Sequence, residues 1–315
     1  MLAVYIIVGV VLFIVTFFLS FAYGIYRLTF YNGKRIPNDL SPLQGNPYDK
    51  YDVAPVINKA SEIPFEEVHI KSYDGLRLFG RVYKRKEGAP LHIQFNGYKG
   101  NGVRDFAGGL QIVLEQEHNV ILVDQRAHGY SEGKTISFGI KERKDVVSWV
   151  NYGIERFGED VDIFIEGISM GAATVLMAGD QELPKNVIGV IADCPYSSPK
   201  EIILKVTKDM GIVPKLAYPF ILMSSSIFGR FNLNEASALE SVKHFKIPVL
   251  LIHGNADGFV PFDMSKKIKE SNPEFVRLVE VEGAPHGLSF MQDYDLYCNS
   301  VKEFVGECLE AKNNK

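Results

Sequence analysis

At 315 residues the chain exceeds a usual single domain but fits one α/β domain with insertions, long enough to bury a large core. Its 34 Lys and Arg against 38 Asp and Glu give a formal charge of −4, without the basic excess that phosphate-backbone binding needs, so nucleic acid is not an expected partner. The three cysteines, Cys194, Cys298 and Cys308, make neither a disulfide framework nor a C-x-x-C metal pattern and read as buried, reduced thiols.

From Leu2 to Tyr26 there is no charged side chain, and the run exceeds the ~20 apolar residues that cross a bilayer core. Residues 2–26 are therefore expected to form a transmembrane helix. Ser20-Phe21-Ala22 offers the small-x-small pattern of a cleaved signal, but the run outlasts a signal's ~7–15-residue apolar core and no Lys or Arg precedes it. Arg27, Lys34 and Arg35 follow the span, so the positive-inside rule predicts a single-pass membrane protein with its bulk facing the cytoplasm. Residues 27–63, with Pro37, Pro42, Pro47 and Pro55 among Asn and Asp, read as an extended or turn-rich linker that spaces the domain off the membrane.

The main domain is expected over 64–315. Asp74-Gly75 lies between two alternating runs, which predicts an opening antiparallel hairpin. Leu91 to Phe95, Val120 to Val123, Ile163 to Ile165, Val187 to Ala192, Val249 to Ile252 and Val276 to Val281 are short apolar strands, separated mostly by amphipathic stretches such as Lys141 to Arg156 and Met264 to Glu270. Near the end, Val301, Phe304, Val305 and Cys308 fall on one helical face. This alternation predicts an α/β fold, a mostly parallel sheet with helices on both faces. The interval 195–246 breaks it: too long for an ordinary connection and rich in apolar residues, it reads as a helical cap insertion over one end of the sheet. Most of those residues are expected to pack the cap down, and a few to line an acyl-sized pocket.

Within the alternation, FIEGISMGAAT carries chemistry. Gly167-Ile168-Ser169-Met170-Gly171 matches G-x-S-x-G and sits between a strand and a helix, where the motif's sharp turn lifts a serine hydroxyl out of the sheet. A serine needs a base to take its proton, and the base needs an orienting acid. Asp257 follows the strand VLLIHG and His286 follows RLVEVEG, each in the loop after its strand. The competing readings are an ordinary N-cap role for Ser169 and Asp193, also at a strand end, as the acid. No histidine spacing suggests a metal. Trp149 is expected to pack in a helix face.

From about Glu66 onward the chain resembles an α/β-hydrolase-fold serine hydrolase, in GISMG, FNGYKGN, VDQRAHGYSEG, IHGNADGFVP, GAPHG and the order Ser, Asp, His. It is particularly similar to membrane-anchored bacterial esterase-like members with a short helical cap. Asn96 stands where many relatives have His, and Ala127 where Gly is usual in the D-x-R-G-H-G segment. The resemblance implies an eight-stranded sheet, Ser169 as nucleophile, His286 as base and Asp257 as acid. It further implies an oxyanion hole from the backbone N–H groups of Met170 and Tyr98, structural roles for His128 and His253, and no cofactor. The implied reaction is cleavage of carboxylic esters, small or lipid-derived. Thioesterases, acyltransferases and peptidases share the triad. A non-catalytic membrane-bound binding protein on the same scaffold is the alternative of another class, and the completeness of Ser169, Asp257 and His286 argues against it.

Overall fold

Short β-branched runs bounded by turn residues form the strands, and the longer amphipathic stretches between them form the helices. The protein is described here by a computed structural model that covers residues 1–314 apart from Lys34 and Leu43. Lys34, one of the three charges behind the expected orientation, thus lies outside the described residues. In chain order the elements are α1 (Leu2–Thr29), α2 (Ala54–Ser61), β1 (Glu66–Lys71), β2 (Arg77–Tyr83), β3 (Leu91–Phe95), α3 (Gly102–Glu115), β4 (Asn119–Asp124), α4 (Glu142–Phe157), β5 (Ile163–Ile168) and α5 (Met170–Met177). They continue with β6 (Val187–Asp193), α6 (Pro199–Asp209), α7 (Pro214–Ile227), α8 (Ala238–Ser241), β7 (Val249–Gly254), α9 (Asp263–Ser271), β8 (Val276–Val281), α10 (Ser289–Gln292) and α11 (Tyr294–Asn313).

The eight strands form one sheet in the order β1-β2-β4-β3-β5-β6-β7-β8. The hairpin turns at Asp74-Gly75 as expected: β1 and β2 pair antiparallel, β2 pairs antiparallel with β4, and every other pairing is parallel. Strands β3, β4 and β7 are buried along their whole length, which is why they read as near-continuous apolar runs. Alternate side chains then serve opposite faces. Val120 and Leu122 meet α2 and α3, and Phe164, Ile191, Leu250 and Ile252 meet α11. Ile121, Val123, Ile163, Ile165, Val190 and Leu251 meet the core that includes α4, α5 and α9. Trp149 of α4 is fully buried in it, and a side chain at Gly80 of β2 would strike its ring. Val301, Phe304, Val305 and Cys308 are all buried, as one face of α11.

Two regions differ from expectation. Residues 27–63 do not hold the domain away from α1. Phe30, just past the end of α1, is fully buried and packs edge-on against Phe138 and Phe231, with centroids 5.8 and 5.3 Å away. Its carbonyl accepts from Ile136 N–H at 2.8 Å, and Asn32 N–H donates to the Lys134 carbonyl at 2.8 Å, so α1 is joined directly to the domain. The Pro-rich segment then runs back over the fold to α2, where Ile57 and Ala60 bury against α3. Val53, Val56, Ile57 and Ala60 are spaced i, i+3, i+4, i+7, a helical face that the neighbouring prolines obscure.

The insertion at 195–246 is helical, as expected, but its longest helix packs on α1. The ring of Phe220 stacks with Phe18 at 5.8 Å and meets Phe21 edge-on at 5.2 Å. Phe228, one residue past α7, lies 5.2 Å from Tyr23 and 6.1 Å from Tyr26.

Candidate active site

The turn between β5 and α5 is too tight for side chains on its glycines. A Cβ at Gly171 would collide with the Phe95 carbonyl, and one at Gly167 with the Gly171 backbone, so β5 and α5 can close only with both positions bare. Ser169 sits at the apex with φ 55° and ψ −112°, backbone that an L-residue adopts only under strain. It is the N-cap of α5, yet its side chain caps no helix N–H. Its hydroxyl instead donates to His286 Nε2 at 2.8 Å, which disposes of the N-cap reading.

His286 Nδ1–H donates to Asp257 Oδ2 at 2.7 Å, completing a hydrogen-bonded series from three loops at the C-terminal ends of β5, β7 and β8. The Asp257 side chain is fully buried. Burial alone would raise its pKa, but hydrogen bonds from His253 and His286 outweigh this and hold the carboxyl well below the usual carboxylate range. Its second oxygen accepts from Phe259 N–H at 2.9 Å and Val260 N–H at 2.8 Å. His253 Nε2–H reaches Asp257 Oδ2 at 3.1 Å and the Val260 carbonyl at 3.0 Å, while Ser265 Oγ–H donates to its Nδ1 at 2.7 Å. This set of partners fixes the His253 tautomer and, with it, the loop that carries Asp257.

On the other side of Ser169 stands the loop after β3. A Cβ at Gly97 would lie 3.5 Å from Ser169 Cβ. Two backbone N–H groups of this loop are already engaged: Gly97 donates to Asp105 at 2.8 Å and Lys99 to His128 Nε2 at 3.0 Å. Between them, Tyr98 N–H has no hydrogen-bond partner among the described residues, and the same is true of Met170 N–H at the start of α5. His128 can accept because its Nδ1–H donates to the Arg126 carbonyl at 2.8 Å and burial pushes its pKa down to about 4, so the ring is neutral. Arg126 anchors this segment through Asp145 at 2.6 and 2.7 Å and through Asp74 at 2.9 and 3.0 Å. Ala127, at the position where the D-x-R-G-H-G segment has Gly, has φ 61°: the segment needs left-handed backbone there, and this chain meets the need with a strained alanine.

Asp193 takes no part in the series. It is buried, its Oδ1 lacks a hydrogen-bond partner among the described residues, and burial pushes its pKa up to about 7. Next to it, Cys194 brings its sulfur, an Asp257 oxygen and a His286 nitrogen within 4.8 Å of one another. His286 and Asp257 are committed to each other there, and burial holds the Cys194 thiol well above its ordinary pKa, so the sulfur keeps its proton.

Ser169 and His286 open into a cavity of ≈ 330 Å³. Its apolar wall comes from Val53, Val56 and Ile57 of the N-terminal segment, Phe106 and neighbouring glycines of α3, and Leu288, Phe290 and Met291 after His286. Gln44 and Tyr48 also line it, whereas no residue of 195–246 does. The segment read as a spacer therefore supplies part of the cavity wall, and the insertion supplies none of it.

No protein-family model matches the chain. The uncharacterized protein YqkD of Bacillus subtilis is 26% identical over 197 residues, 62% of this chain and 65% of that protein, so the chain spans just under two thirds of this relative's length. Among solved structures, the Pyrococcus furiosus esterase Pf2001 superposes with a TM-score of 0.64 at 22% identity, covering 85% of this chain and 96% of the esterase. The alpha/beta hydrolase domain-containing protein 10 from mouse superposes at 0.58 with 19% identity, covering 77% and 99%. The chain has an α/β-hydrolase fold.

In that fold, ligand chemistry sits at the C-terminal ends of the sheet strands. The series and the unpartnered N–H groups lie there, but they are brought together by residues remote in sequence. His253 as a second donor to Asp257, and Asp105 as the partner of Gly97, are additions that no spacing marks. The helical face of Val53, Val56 and Ile57 is the one signal that could have found the cavity wall.

Proposed function

We propose that the protein is a membrane-anchored serine hydrolase that cleaves carboxylic esters with an apolar acyl group. The observation that carries the reading is the hydrogen-bonded series Ser169–His286–Asp257 ending at a hydroxyl in an apolar cavity. The esterase among the structures of like fold supports the ester as the bond cleaved. In the proposed cycle His286 takes the Ser169 proton as the hydroxyl attacks the ester carbonyl. Asp257 holds the imidazole in the tautomer with Nδ1 protonated and stabilises the imidazolium. The oxyanion is met by the N–H groups of Met170 and Tyr98, each worth about 3 kcal/mol in the transition state. His286 returns the proton to the leaving alcohol, and water repeats the sequence on the acyl-enzyme.

Membrane anchoring rests on α1, which is long and apolar enough to cross a bilayer. That Ala22, Tyr26 and Phe30 are buried in the folded domain argues for a retained anchor over a cleaved signal, because cutting after Ala22 would divide a continuous helix packed on α7. By the positive-inside rule the domain faces the cytoplasm.

A fluorophosphonate probe should label the wild-type protein in detergent and fail to label Ser169→Ala, while Asp257→Asn should lower ester turnover by about 10³–10⁴. Equal labelling of wild type and Ser169→Ala would remove the nucleophile assignment. A protein that reacts with no serine-directed probe and turns over no ester or thioester would instead be a binding protein on this scaffold.

A further inference from the structure

The apolar surface of α1 does not stop at α1. Phe228 lies beside Tyr23 and Tyr26, and Phe220 beside Phe18 and Phe21, so α7 runs along α1 away from the domain. Phe18 stands eight residues before Tyr26, about 12 Å of helix at the usual rise. Beyond Phe220 the chain continues outward through the start of α7 to the turn that joins it to α6. That turn presents Met210, Ile212, Val213 and Leu216 to the exterior, with Met210 67%, Val213 58% and Leu216 70% exposed. Bare residues of this kind, clustered on one hairpin, are what a soluble domain avoids and a membrane-seated one uses. Lys208 and Lys215 flank the turn, with stems long enough to bring their ammonium groups to a lipid headgroup region. Asp209, at the end of α6, is held by Lys205 at 2.6 Å.

We propose that the α6–α7 hairpin is a second membrane element, its turn from Met210 to Leu216 inserted among lipids beside α1. The inference rests on the reading of α1 as a membrane anchor. A helix already in the bilayer carries its packed neighbour with it, and the aromatic contacts along α1 and α7 fix how far out the turn sits. The hairpin also touches the site. Lys205 of α6 donates to the Gly258 carbonyl next to Asp257, and Phe259, which lines the cavity, has its ring 5.1 Å from that of His286. Seating the turn in lipid thus fixes the acid loop relative to the membrane surface from which an apolar ester would be drawn.

The full-length protein, reconstituted in phosphatidylcholine–phosphatidylglycerol vesicles, allows a direct test. The native cysteines are buried, so one added cysteine takes an environment-sensitive fluorophore. Labels at Leu216→Cys, at Ile14→Cys on α1, and at Glu182→Cys just ahead of β6 are compared under quenching by nitroxide-labelled lipids. The Leu216 label should be blue-shifted and lose most of its emission, as at Ile14, while the Glu182 label keeps its own. Quenching at Ile14 without quenching at Leu216 would overturn the hairpin proposal and leave the anchor standing. No quenching at either would overturn the anchor reading and this one with it, whatever the esterase activity.

Discussion

Ser169 carries its strain for a reason visible in its neighbours. A residue at φ 55° costs about 1–3 kcal/mol, and the glycines at 167 and 171 let β5 and α5 approach closely enough to hold it there. Asp257 and Asp193, each ending or following a strand, look interchangeable in sequence, and their surroundings separate them. Asp257 has two imidazole and two backbone donors and stays ionised; Asp193, fully buried, is pushed up to about 7. Because an unfolded aspartate titrates near ~3.9, the folded chain holds a proton on Asp193 that the unfolded chain has released. Its stabilising effect is therefore complete below about pH 4 and lost as pH rises through about 7. Asp193→Asn should flatten the fall in melting temperature between about pH 5 and about pH 8, while still reacting with a serine-directed probe. Thermal unfolding across that range checks the first effect, and loss of probe labelling in this variant would instead give Asp193 a part in the chemistry.

At the scale of elements, the cavity is made by α2 and α3 with the loop after His286, not by the insertion. Size selection should follow that wall. Ile57→Trp adds bulk to a half-enclosed apolar slot and should shift the preferred acyl chain of an ester series to shorter lengths, with kcat on the shortest ester little changed. Leu222→Ala, in α7, should leave the chain-length profile where it was. Rates across a ladder of acyl esters distinguish the two, and a profile that moves with Leu222 but not Ile57 would place the acyl site under the insertion. The loop after β3 is ordered by contacts of a different kind: a neutral His128 and the Asp105 carboxylate occupy the N–H groups on either side of Tyr98.

Across the whole molecule, the base of α1 is part of the domain core. Phe30 is fully buried among Phe138, Phe231 and Ile136, whereas Phe13 near the middle of α1 is 71% exposed to what surrounds the protein. Phe30→Ala should cost about 3–5 kcal/mol of stability. Phe13→Ala should stay within about 0.5 kcal/mol in detergent. Denaturant unfolding of the two variants measures the contrast, and equal, small effects would mean that α1 is a detachable tether. The core position of Phe30 also joins α1 to the site, since Tyr98 of the loop beside Ser169 donates through its hydroxyl to the Thr29 carbonyl at 2.8 Å.

What the sequence determined by itself was whatever is written locally. Strand runs alternating with helical faces specify a parallel sheet covered on both sides, and GISMG between a strand and a helix specifies a strained turn with an outward hydroxyl. Asp257 and His286 were legible because each follows a strand whose C-terminal end must lie at the same edge of that sheet. The tertiary structure alone decided which surfaces meet. Apolar residues in α7 state that they need cover but not that α1 provides it, and a Pro-rich segment with a single two-turn helix gives too short a period to announce a cavity wall. The pairing of His253 with Asp257, of His128 with Lys99, and of Phe30 with Phe138 depends on distances that only the closed fold sets, because each contact is worth little until the sheet brings its partners within reach.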